Sequence, residues 1–131
     1  SSSFSQVTSL NTSITPKATG SKLYVRFELN FSHKGTNNNS SSEFEIRDNI
    51  SGDNFNTSRR KTRVNDSSNS NANTTNFYRH VVTFSYYATA PNTNAIQFSM
   101  YFRAVDNNTT TINHDDYSNN AQGCTIMEIA A

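Results

Sequence analysis

The sequence predicts an all-β domain, an antiparallel and jelly-roll-like β-sandwich of about eight strands, and three observations carry that prediction. Its apolar stretches repeat with period two and none with period 3.6, the spacing that separates a half-buried strand from an amphipathic helix. Asn, Ser and Thr supply 55 of 131 residues, and such side chains suit turns and exposed strand faces while destabilising helix interiors. Helix-favouring Leu occurs 3 times, against 9 Phe, 7 Ile and 6 Val, a balance that favours strands.

The strongest element is Ser21 to Ser32, SKLYVRFELNFS. Leu23, Val25, Phe27, Leu29 and Phe31 share one face, while Tyr24, Arg26, Glu28 and Asn30 share the other. Before it, Val7 to Ile14 is a weak edge strand or linker, Pro16 stops ladder pairing and Lys17 to Gly20 is a turn. His33 to Ser42 is polar and Asn-rich, which predicts a surface loop. Glu43 to Arg47 alternates again, and Asp48 to Asn54 turns through Gly52. Phe55 to Val64 reads as an edge strand or an extended loop around Arg59, Arg60, Lys61 and Arg63, and Asp66 to Asn76 as a long loop.

Phe77 to Ala88 carries Tyr78, Val82, Phe84 and Tyr86 on one face but Val81 and Tyr87 on the other, as a central strand or a subunit contact would. APNTN at Ala90 to Asn94 is a turn. Ala95 to Val105 is a well-patterned strand with Ile96, Phe98, Met100 and Phe102 in phase. Thr109 to Asn113 is a short strand, His114 to Gly123 a loop and Cys124 to Ile129 a last strand.

Length fits one domain, residues 1–131, with 1–13 as linker or edge strand. Core material is thin, since Leu, Ile, Val and Phe make up only 25 of 131 residues, and partner subunits would complete it. A net charge of +1 lacks the basic excess that nucleic-acid binding needs. No apolar run reaches membrane-spanning length. The lone cysteine, Cys124, permits no internal disulfide, and its place in an alternating strand predicts a buried, unreactive thiol. The opening SSSFSQV, without Met, reads as the later part of a longer polypeptide.

Few residues offer chemistry, and neither a cofactor nor a metal is expected. His114, Asp115 and Asp116 are the one compact group of potential metal ligands, and a solvated turn is their ordinary role. The basic run from Arg59 to Arg63 suits phosphate or acidic sugar, or simply protects a sheet edge. Glu43 and Glu45 lie on one strand face about 7 Å apart, loosely in range of a glycosidase pair; paired surface charge is the commoner meaning. Tyr24, Tyr101 and Tyr117 are the tyrosines expected to be exposed.

Three pieces, SITPKATGSKLYVRFELNFS at Ser13 to Ser32, APNTN at Ala90 to Asn94 and GCTIMEIAA at Gly123 to Ala131, resemble the C-terminal β-sandwich domains of tail-fibre and other virion appendage proteins of marine bacteriophages. The resemblance runs from about Ser13 to Ala131 and breaks between Thr36 and Asn76. It implies a homotrimer on the virion, in contact with other virion proteins, whose polar connections bind a glycan or protein of the host surface. Arg60, Asn71 and Tyr117 are the expected ligand-binding residues, with no catalytic residue. The alternatives are a capsid-decoration or fibre-cap domain without a host ligand and, third, a polysaccharide depolymerase.

Overall fold

In the computed structural model, residues 3–34, 39–50, 52, 55, 58–67, 78–105, 109–112 and 122–130 are described. They form nine strands: β1 (Ser5–Gln6), β2 (Thr12–Ile14), β3 (Lys22–Lys34), β4 (Asn39–Asp48), β5 (Ser58–Ser67), β6 (Tyr78–Thr89), β7 (Ile96–Ala104), β8 (Thr109–Ile112) and β9 (Gly123–Ile129). A single 3-10 turn at Thr8–Leu10 separates the first two, so of the weak strand expected over Val7 to Ile14 only Thr12–Ile14 is strand. Among the described residues there is no α-helix.

Alternation along β3 does what period two requires: Leu23, Val25, Phe27, Leu29 and Phe31 are all buried. Removing that row from water contributes roughly 7 to 15 kcal/mol before chain entropy is counted. The strand is paired along both edges. On one side β6 runs antiparallel to it from Lys22 opposite Thr89 to His33 opposite Tyr78. On the other, β9 covers Lys22 to Glu28 and β8 covers Phe31 to Lys34, end to end along the same edge.

The second sheet has the order β1-β7-β4-β5, with β2 following β1 along the same edge of β7. It faces the first across a core in which Phe44 and Ile46 of β4 and Phe98 and Met100 of β7 meet the β3 row. The rings of Phe31 and Phe44 lie 4.7 Å apart across the sheets. The chain crosses between sheets after β2, β3, β5, β6 and β7, while β4 and β5 form a hairpin pair. The short strands β1, β2, β8 and β9 and the charged β5 line three of the four sheet edges, as natural β proteins arrange them; the fourth edge is the long, largely uncharged β6, which is therefore not a central strand.

Two expected boundaries are corrected. His33 is no loop residue; it ends the inward row of β3 and is fully buried, and β4 begins at Asn39 with Ser41 and Ser42 buried. Asp66 likewise belongs to β5. Polarity predicted loops at both places, but His33, Ser42 and Asp66 point into the end of the sandwich, where partners from the opposite sheet satisfy them. The uncertain basic segment is a strand, and β5 does form the sheet edge.

Candidate functional site

Of the residues expected to bind a ligand, Arg60 sits on the edge strand β5, exposed and opposite Ile46. Asn71 and Tyr117 lie outside the described residues, as do His114, Asp115 and Asp116. Three of the four residues in the basic run are committed to carboxylates. Arg59 pairs with Asp48 at 3.1 Å, Lys61 with Glu45 at 2.9 Å and Arg63 with Glu43 at 3.8 Å. Arg103 also holds Glu43 at 2.6 Å, and Arg47 holds Glu45 at 2.8 Å.

Glu45 is therefore not the wet surface acid its alternation predicts, being buried under these cations. Burial pushes its carboxyl up, but the bonds and charges of Lys61 and Arg47 outweigh that and hold it below the ordinary range. A carboxylate so held is a poor proton donor for glycoside hydrolysis. Tyr101 on the same outer face is partly covered by the Arg47 guanidinium, 4.3 Å above its ring; Tyr24 is half-buried.

The outer face of the other sheet is different in kind. There Tyr87, Met127 and Ile129 are 63%, 53% and 45% exposed. Tyr24 joins them, since Tyr87 and Met127 are its two cross-strand partners, and Ile129 is opposite the adjacent Lys22. The Tyr24 and Tyr87 rings stand 5.2 Å apart. Val81, also exposed, is six residues along β6 from this patch, opposite Asn30. The two-sided apolarity of β6 is thus real, and on its outer face Val81 and Tyr87 remain largely exposed.

A third feature lies between the sheets. His33 from β3 and His80 from β6 both point inward at the end of the core, and each Nε2 lies 2.5 Å from Oδ2 of Asp66 on β5. His33 Nδ1 is 2.9 Å from Ser42 Oγ, itself 2.6 Å from Thr110 Oγ1 on β8. Phe31 stacks on His80 and meets His33 edge-on. Burial lowers the His33 pKa more than the adjacent carboxylate raises it. For Asp66, burial pushes the carboxyl up, but the two imidazoles outweigh it and hold the group low.

Ser42, His33 and Asp66 have the composition of a hydrolytic triad, yet Ser42 and His33 are completely buried. A nucleophile that no substrate can approach does not perform acyl transfer. The cluster is not visible as a sequence motif because Asp66 is 33 and 14 residues along the chain from its two partners. One signal was available: His33 continues the Phe27, Leu29, Phe31 phase, and His80 falls between Tyr78 and Val82 on the apolar phase of β6.

At the opposite end of β4 a second polar cluster bridges the sheets. Asp48 is fully buried, accepts hydrogen bonds from the Arg59 guanidinium and from Ile50 N–H, and accepts one from the Tyr86 hydroxyl at 2.7 Å. Burial and the Asp48 carboxylate together push the Tyr86 pKa far up, so it remains a neutral donor. Cys124, expected to be buried, is half-buried beside the core. Burial pushes its thiol up to about 11 against the opposing effect of a Thr12 hydrogen bond, so thiolate is scarce at neutral pH. Compared with protein-family models, with curated proteins and with solved structures, the chain has no match.

Proposed function

We propose that this chain is the distal domain of a phage tail fibre, a virion protein that assembles as a homotrimer and attaches the particle to a glycan or protein of the host surface. The observation that carries the reading is the exposed apolar patch of Tyr87, Tyr24, Met127 and Ile129 on the outer face of the β6-β3-β9 sheet. Apolar area gathered on one face of a small sandwich marks a contact surface rather than ordinary scatter. Subunits joined there would supply the burial that a sequence with so few large apolar residues lacks. Receptor contact then falls to the polar connections that carry Asn71 and Tyr117, together with Arg60 on the edge strand β5, as the ligand-binding residues.

Light scattering tests assembly directly. The parent chain is expected at three times the monomer mass and Tyr87→Lys/Met127→Lys at the monomer mass; a parent that stays monomeric at high micromolar concentration overturns the interface. A map of the virion tests the placement: density at a free fibre tip supports attachment, whereas density on the capsid lattice supports a decoration domain instead. Adsorption of phage carrying Arg60→Ala, Asn71→Ala or Tyr117→Ala tests the site, and unchanged adsorption for all three, with folding intact, removes that assignment.

A further inference from the structure

We propose that His33 Nε2, His80 Nε2 and Asp66 Oδ2 form a binding site for a divalent transition-metal ion of the zinc class, joining the two sheets at one end of the core. The three donor atoms lie within 4.8 Å of one another and come from strands of both sheets. In a tetrahedral zinc site with metal–ligand bonds of about 2.0 to 2.1 Å, donor atoms stand about 3.3 Å apart. Opening each 2.5 Å nitrogen–oxygen separation to that distance takes less than one ångström of side-chain movement. Two imidazoles and one carboxylate suit zinc, cobalt or nickel, whereas magnesium and calcium prefer all-oxygen sets.

The surroundings are those of a ligand set with its orientation fixed. With the proton on Nδ1, His33 donates to Ser42 Oγ, which continues to Thr110; this leaves the Nε2 lone pair directed at the cluster. Such an outer hydrogen bond selects the tautomer that coordinates a metal. His80 is held by stacking on Phe31, ring centroids 5.4 Å apart and 26° from parallel. The two imidazoles stand nearly perpendicular at 79°, so their nitrogens approach one point from different directions.

Charge points the same way. Asp66 brings a negative charge to the sheet interface, and its ion-pair partners among the described residues are the two histidines alone. A cation there would neutralise the carboxylate and give both Nε2 atoms a common partner. His80 and Asp66 are partly exposed while His33 is sealed, so a fourth ligand, a water, would occupy the solvent side. This leaves an open position on a site otherwise held by the fold.

The test uses untagged chain stripped with chelator, titrated with zinc(II) alone by calorimetry and with cobalt(II) alone by visible absorption. The expected result is one ion per chain, a cobalt d–d band, and at least tenfold weaker zinc binding in His80→Phe and in Asp66→Asn. His80→Phe keeps a ring on Phe31 and removes the donor; Asp66→Asn supplies the result if that variant fails to fold by circular dichroism. Absence of zinc binding by the folded parent overturns the site. So does unchanged affinity in the folded variants, or a loss seen with His114→Ala in place of them, which would put the ion in the Asn113 to Tyr117 run.

Discussion

Two clusters bridge the sheets at opposite ends of β4, about 20 Å apart along the strand from Ser42 to Asp48 at the usual rise per residue. Both put an aspartate between the sheets, and they differ in what neutralises it. Asp48 has Arg59, charged at every pH a protein meets, together with the Tyr86 hydroxyl and a backbone donor. Asp66 has His33 and His80, and burial opposes a charge on His33. The first cluster is electrostatically complete in the folded chain. The second depends on its surroundings, which is the physical difference between a structural clasp and a site that takes a ligand.

The largest way to break this comparison is Arg59→Met. It leaves Asp48 buried without its cation and is expected to cost about 3 to 5 kcal/mol, read as a fall in the urea midpoint at unchanged slope. Tyr86→Phe removes one bond to the same carboxylate and should cost about 1.5 to 3 kcal/mol by the same measurement. In chelator, Asp66→Asn is expected to cost only about 1 kcal/mol, because the amide still accepts a hydrogen bond and no fixed cation is stranded. A loss as large as that of Arg59→Met would make the two clusters equivalent and erase the contrast.

The smallest effect is read from pH. Glu45, like Asp48, is a buried carboxylate of β4 supplied with its own cations. Its folded pKa lies below the ordinary value of 4.5, so its ion pairs contribute fully above that value, and the contribution is lost as pH falls through the folded pKa. Glu45→Gln should therefore lower stability at pH 7 and flatten the acid limb of the stability curve. An acid limb identical to the parent's would remove Glu45 from the self-neutralised class.

Legibility in the sequence followed the chemistry of the side chains. β3, β6 and β7 were readable because apolar residues at every second position have one explanation on a pleated strand. The ends of β3 and β5 were not, because His33 and Asp66 are polar residues turned inward, and local polarity alone predicts a loop. What makes them strand residues is a partner on the other sheet, a fact of tertiary pairing. The outer patch was half legible: Tyr87 stands out of phase on β6, but Met127 and Ile129 join it only through the pairing of β9 with the far side of β3.

The pairing of β3 with β9 also sets a schedule for synthesis. Lys22 finds its edge partner Ile129 about a hundred residues further along the chain. At translation rates of about 5 to 20 residues per second, the most apolar strand of the protein waits roughly 5 to 20 s for that neighbour. Until then one edge of the Leu23 to Phe31 row is open to other nascent chains. Polysomes bring such chains close together, so the native sheet competes with intermolecular pairing for the time it takes the ribosome to reach β9, and pausing upstream of Gly123 should lower the soluble yield.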